Sequence, residues 1–206
     1  MRFSVKADFD QIKRNLTRMQ RDQVPFAASL ALNNLASDVA NAITAQMDRY
    51  LDNPTPFTEK AYQTRPGTFR GQRASKKNLI AIVEPAKIQG EYLKFQIVGG
   101  TRRPRQTAII VPTRKAPVNK YGNLPRGRRK NMIAGEKGFF SAGKREDKTP
   151  GIYKRIRKSV EPMAFYVDQA TYEPIFPIDK IAGGVIRNRF NRRFQEALQR
   201  AMQTAR

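Results

Sequence analysis

Apolar residues recur at helical spacing near the start of the chain. Phe9, Ile12, Leu16 and Met19 form one face, and Lys13, Arg14, Arg18 and Arg21 lie on the other. Asp8 or Asp10 can cap this helix, and its expected end is Gln23-Val24, because a residue before proline avoids the helical region. Pro25 suits the first turn of a second helix, whose stripe is Phe26, Leu30, Leu35, Val39, Ile43 and Leu51. Ala27, Ala28, Ala31, Ala36, Ala40, Ala42 and Ala45 interleave with that stripe. A helix from Pro25 to Leu51 is roughly 40 Å long, and its alanines permit close approach of a neighbouring element, either within the chain or from another subunit.

Asp52-Asn53-Pro54-Thr55-Pro56 breaks this helix, and residues 54–78 read as an irregular connection. Asn78–Val83 and Tyr92–Val98 then have the composition of strands joined by a turn at Gln89-Gly90, with Gly99-Gly100 ending the pair. Ala108–Val111, closed off by Pro112, offers a third strand, and Ala164–Val167 a fourth. Pro174–Ile178 is proline-broken and reads as an edge strand or extended segment. From Asp179 a last helix carries Ile181, Val185, Phe190, Phe194, Leu198 and Met202, with Arg187, Arg189, Arg192, Arg193 and Arg200 over much of its remaining surface. The order argues for an α+β fold: a small antiparallel sheet packed by N-terminal helices and a C-terminal helix.

Charge divides this picture unevenly. The 206 residues hold 40 Lys plus Arg against 17 Asp plus Glu, a net charge of +23. Residues 101–160 alone hold 18 basic and 3 acidic side chains, so they carry +15 of that excess. Prolines and glycines punctuate the same block, from Pro104 to Gly151, and interrupt any long helix or strand. The expectation is that 1–100 and 161–206 together form one α+β body, and that 101–160 is a basic extension or arm, either functional in itself or ordered by a partner.

Composition then limits the chemistry. With no Cys, His or Trp, the chain has no thiolate or imidazole metal ligand, no Cys or His base and no disulfide. Glu146-Asp147-Lys148 matches a local spacing found in metal-dependent nucleases, but no strand-borne Pro-Asp precedes it. Asp48 and Asp52 lie one turn apart at a helix end, where polar residues belong in any case, and Gly99-Gly100-Thr101 lacks the lysine of a phosphate loop. Gly183-Gly184 reads as packing at a helix start. The expectation is a protein that is not an enzyme and takes no cofactor or metal. Nowhere do about 18 apolar residues run together, so no membrane span is expected. Met1–Lys6 leads into a charged stretch without an apolar signal run, which points to the host cytosol.

Binding is better supported than catalysis. Arg102, Arg103 and Arg105, then Arg126, Arg128, Arg129 and Lys130, then Lys154, Arg155, Arg157 and Lys158 form three runs suited to nucleic acid or an acidic partner. Tyr121, Phe139, Phe140 and Tyr153 interleave with them in the manner of base-stacking groups. No helix-turn-helix, zinc or aromatic-sheet signature suggests base-specific readout, so any nucleic-acid contact is expected on backbone phosphates.

Two segments carry a resemblance. Val24-Pro25-x-Ala27-Ala28-x-x-Ala31-Leu32-Asn33-x-x-Ala36-Ser37 resembles the opening of the minor tail protein Z (tail completion) family of tailed bacteriophages. Pro177-Ile178-Asp179-Lys180-Ile181, with the Arg-rich helix that follows, is similar to the family's closing segment. The resemblance implies a non-catalytic virion protein at the neck or tail, assembled in the host cytoplasm and forming a ring of six or twelve copies at the head–tail junction. Its implied partners are itself, the portal or adaptor, the tail terminator or tail tube proteins, and the phage DNA backbone. Such a ring needs two different faces per subunit, here assigned to Phe26, Leu30, Leu35 and Val39 on one helix and Phe190, Phe194 and Leu198 on the other. The alternative is a sequence-nonspecific nucleic-acid-binding protein of ribosomal or packaging type.

Overall fold

A computed structural model describes residues 3–6, 18–104, 108–143 and 149–204. The chain is a mixed α+β protein of two units. Described residues up to Ile97 and from Ile175 onward form the first, and Val98–Pro174 form the second.

Helix α1, Arg18–Tyr50, is the spine of the first unit. It runs through Pro25, so the expected stop at Gln23-Val24 does not occur. Proline forfeits one intrahelical hydrogen bond, but Val24 and Ala28 around it are buried against Leu79, Phe194 and Leu198. Most helical stability in proteins comes from such packing, which here overrides a local backbone preference. The helix expected over residues 8–17 lies outside the described residues. Asn53 in the left-handed region (φ 43°) and Pro54 stop α1 where the sequence indicated.

One face of α1 buries Leu32, Ala36, Val39, Ala40, Ile43 and Met47 against Tyr62, Phe69, Ala81, Val83, Leu93, Phe176 and Ile178. Each large apolar side chain contributes about 1.5–3 kcal/mol on burial. The connection after α1 is more ordered than its composition indicated. It contains α2 (Pro56–Glu59), capped by Thr55 Oγ1 accepting from the Thr58 amide at 3.2 Å. A hairpin of β2 (Gln63–Arg65) and β3 (Thr68–Phe69) follows. Strand β4 (Ile80–Val83) pairs antiparallel with β1 (Phe3–Lys6), Phe3 opposite Val83 and Lys6 opposite Ile80. Its other edge bonds to residues 70–72, through Ile82 N to Gln72 O at 2.9 Å and Glu84 N to Arg70 O at 3.0 Å. The Asn33 side chain ties this connection to α1, donating to Ala74 O at 3.0 Å and accepting from Ala74 N at 2.9 Å.

The strand expected over Tyr92–Val98 is instead part of helix α3, Lys87–Val98, with Gln89-Gly90 inside it rather than at a turn. Gln89 and Leu93 are buried, and Tyr92 and Ile97 pack on the core, which is a helical spacing. The polar Gln89 disguises that period. Its Nε2 donates to Phe57 O at 3.1 Å, which makes a buried position acceptable to a glutamine.

Helix α5, Ile178–Gln203, closes the unit against α1. Ala27 and Ala31 of α1 meet Ala197 and Ala201 of α5 in a contact of four buried alanines, flanked by Phe26, Leu30, Phe194 and Leu198. Higher along the pair, Arg193 grips Asp38 with two hydrogen bonds, Nε to Oδ2 at 2.7 Å and Nη2 to Oδ1 at 2.8 Å, and Arg189 Nη1 approaches Oδ1 at 3.2 Å. Burial pushes the Asp38 carboxyl up, but the hydrogen bonds and charges of Arg193 and Arg189 outweigh it and hold the group below its ordinary value. A lowered folded-state pKa stabilises the fold above the unfolded value, about 3.9, and that contribution is lost as pH falls through the folded one. Asp38→Asn is therefore expected to cost about 2 kcal/mol in urea unfolding at neutral pH. The figure sits below the full cost of breaking a buried pair because both arginines stay partly in water. In acid below pH ~3.9 the gap between variant and wild type should close.

The second unit corrects two expectations about 101–160. Its limits are Val98 and Pro174, so the strand expected over Ala164–Val167 belongs to it and not to the body. It also has a core of its own. A four-stranded antiparallel sheet runs in the order β6 (Ile109–Pro112), β9 (Ser159–Val167), β8 (Gly151–Ile156), β7 (Phe139–Ala142). Helix α4 (Arg126–Ile133) contributes Met132 to a cluster with Phe139, Ile152, Met163 and Ala164. Prolines and glycines keep the elements short, as expected, but strands of four to nine residues are long enough to build a sheet. The pairing also leaves no room at Gly151, where a Cβ would run into the Ala164 carbonyl oxygen. A separate pair, β5 (Gly100–Arg102) with β10 (Ala170–Tyr172), joins the two ends of the unit.

Candidate interaction surfaces

The described residues of the three basic runs are exposed, with Lys154 half-buried, but the runs are not equally assembled. Arg102 and Arg103 stand on and just after β5, and Arg105 lies outside the described residues. Arg126, Arg128, Arg129 and Lys130 are all exposed on α4. Lys154 and Arg155 end β8, and Arg157-Lys158 form its turn into β9. The second and third runs share one end of the sheet, because Met132 packs with Phe139 and Phe139 lies opposite Lys154 in the β7–β8 ladder. Lys154 Nζ lies 5.2 Å from the Phe139 ring centroid, a cation–π distance.

A fourth contributor, Lys137, escaped the sequence reading. It sits between α4 and β7 with φ 55°, and Arg157 has φ 53°. Left-handed backbone costs a side chain with a Cβ about 1–2 kcal/mol, and glycine or asparagine relieves it. Both positions nevertheless carry a cation. The signal available in sequence was the flanking Gly135 and Gly138, which mark a turn.

Two of the four interleaved aromatics are not free for stacking on bases. Phe139 and Tyr153 are buried, Tyr153 donates its hydroxyl to Thr149 O at 2.6 Å, and Phe140 stacks on Tyr153 at 6.0 Å. Tyr121 is half-buried, with Lys120 Nζ 5.0 Å from its ring centroid. Interleaving with charge in a short-stranded sheet arises here from the alternation of core-facing and outward residues.

Two of the seven residues assigned to subunit contact, Leu35 and Val39, are spent inside the chain, and the other five are half-buried. Leu35 and Val39 are 0% and 2% exposed, so neither can face a neighbour. Phe26, Leu30, Phe194 and Leu198 border the α1–α5 alanine contact, and Phe190 stacks on Phe194 at 6.2 Å. Of the arginines on α5, Arg189 and Arg193 serve Asp38, and Arg192 reaches Glu196. Exposed large apolar side chains of the first unit stand at Phe57 (52%), Ile88 (63%), Ile175 (47%) and Met202 (40%), and the Gln89 bond to Phe57 O ties together the segments that carry the first two.

Among the described residues no three carboxylates gather as a metal site, and Asp48 and Asp52 are both exposed. Glu146, Asp147 and Lys148 lie outside the described residues. A Cβ on Gly184 meets nothing within 4 Å, and one on Gly183 meets only the end of Arg187, so close packing requires neither glycine. No described helix is long and apolar enough to cross a membrane. Compared with protein-family models, curated proteins and solved structures, the chain matches none.

Proposed function

We propose that this chain is a structural, non-catalytic virion protein of a tailed phage, a tail-completion or neck component. In this reading it forms a ring at the head–tail junction, and its basic middle unit contacts neighbouring subunits or DNA in the channel. One observation carries most of the support: the two segments that resemble the tail-completion family pack on each other. Ala27 and Ala31 of the first touch Ala197 and Ala201 of the last, although the basic unit separates them in sequence. A body made from both ends of the chain, with a variable basic insertion, is what the resemblance implies. In this reading the exposed Phe57 and Ile88 are assigned to contact with a second copy.

The second reading, a sequence-nonspecific nucleic-acid binder of ribosomal or packaging type, is favoured by the exposed cations of α4. Sedimentation of the purified chain with imaging of assembled particles separates the two. The neck reading expects a closed ring and axial density for this chain in the particle. A protein that stays monomeric at high concentration and never enters particles overturns it. Ile88→Glu is expected to shift the ring toward monomer with an unchanged unfolding midpoint, since the site is on the surface.

A further inference from the structure

We propose that the outer face of α4 and the β8–β9 turn form one binding surface for the phosphate backbone of duplex nucleic acid, engaged without regard to base sequence. This rests on the reading above, in which the basic unit meets neighbouring subunits or DNA, and it names which of those the surface takes.

The juxtaposition comes from the core beneath. Met132 anchors α4 over Phe139 and Ile152; at 3.6 residues per turn Lys130, Arg126 and Ile133 point away from it, at about 160°, 120° and 100°, while exposed Arg129 flanks it at about 60°. Beside the helix, Lys137 leads into β7. A Cβ on Gly138 would lie 3.4 Å from Arg155 O, which places the Lys137 turn against the end of β8. Lys154, Arg155, Arg157 and Lys158 continue that edge.

Among the described residues, none of Arg126, Arg128, Arg129, Lys130, Lys137, Arg155, Arg157 and Lys158 forms an ion pair. Glu161, opposite Lys154, is bonded to Lys115 at 2.8 Å, which leaves Glu136 as the described carboxylate beside the cluster. A solvated surface of mixed sign would intersperse acids evenly, whereas here the cations far outnumber Glu136 and the already paired Glu161. Two of its cations also stand on left-handed backbone, where glycine would relax the chain. Strain kept at exposed positions that carry one kind of charge points to a use for that charge.

Duplex backbone fits this surface better than the alternatives. Protein interfaces have an apolar, aromatic-rich centre depleted of charge, whereas the exposed apolar groups here, Ile133 on α4 and Ile156 and Val160 at the β8–β9 turn, include no aromatic ring and are interspersed with cations. Single-strand binders present stacking rings, and here Phe139 and Tyr153 are buried. What remains is dense positive charge, which matches the closely spaced phosphates of a duplex.

The test uses the full chain and a fluorescent duplex of mixed sequence, with polarisation read across a salt series. Binding should weaken with salt at a log–log slope of about −0.9 per phosphate contacted. The triple variant Arg126→Gln, Arg129→Gln, Lys130→Gln should lose about a hundredfold in affinity at low salt and flatten the slope by about three. Arg157→Gly should also weaken binding while raising the unfolding temperature, a combination that a purely structural role for Arg157 does not give. Circular dichroism and sedimentation on the same variants keep folding and assembly in view. Unchanged duplex affinity in folded variants overturns the proposal, as does equal affinity and equal salt slope for polyglutamate, which would mark an acidic-protein surface. A wild-type chain that forms rings without binding duplex overturns this inference and leaves the neck reading intact. One that binds duplex through these residues but forms no ring does the reverse.

Discussion

Gly71→Ala is expected to destabilise the first unit by about 4 kcal/mol, read as a fall in the urea midpoint and in Tm. Two costs combine. Gly71 has φ +126°, a region nearly closed to residues with a Cβ, and holding alanine there costs roughly 1–3 kcal/mol. An added Cβ would also collide with the carbonyl oxygen of Ile82, a backbone atom that cannot rotate away. Relief requires residues 70–72 to separate from β4, which loses the bonds from Ile82 N to Gln72 O and from Glu84 N to Arg70 O. Against a total stability of about 5–15 kcal/mol for a typical protein, this is a large fraction. Gly67→Ala is the informative comparison. It also has positive φ (77°) but meets nothing within 4 Å, so it should show the backbone cost without the collision.

Ala31→Leu is the second large effect, expected at about 3 kcal/mol. Ala31 is 1% exposed and faces Ala197 and Ala201, so the added atoms can enter only by pushing α1 and α5 apart. Separation would then lengthen the Asp38–Arg193 contact further along the pair, at 2.7 and 2.8 Å, so the two sites should be coupled. A double-mutant cycle with Asp38→Asn is expected to show a combined loss smaller than the sum, because the first substitution already weakens what the second removes. Ala45→Leu, on the same helix but exposed, should change stability by no more than about 0.5 kcal/mol.

These sites also show how far the sequence could be read. Helices α1 and α5 were legible because their apolar stripes are long and periodic, and Ala108–Val111 and Ala164–Val167 because short apolar runs ended at proline or polar residues. Helix α3 was not legible. Gln89-Gly90 has the look of a turn, and only the hydrogen bond to Phe57 O explains a glutamine on a buried face. The core of the second unit was hidden for a related reason. Met132, Phe139, Ile152 and Met163 come from separate short elements, each surrounded by charge, and no window of sequence contains enough of them to signal burial. The basic runs needed only composition to find. Which of them adjoin, and that Lys137 joins them, depends on the Phe139–Lys154 register. Asp38 reads as an ordinary surface carboxylate, because its partner Arg193 is 155 residues away.

That separation bears on the order in which the protein can be made. Burial of Ala27 and Ala31 and neutralisation of Asp38 both wait on α5. Meanwhile the second unit has its sheet and core complete within Val98–Pro174. On a ribosome the middle of this chain can therefore fold while α1 still exposes its alanine face. Closing a loop this long is slow, although its added entropic cost grows only with the logarithm of length. For that interval the uncovered face of α1 is the part of the nascent chain most open to chaperones or to the matching helix of another copy.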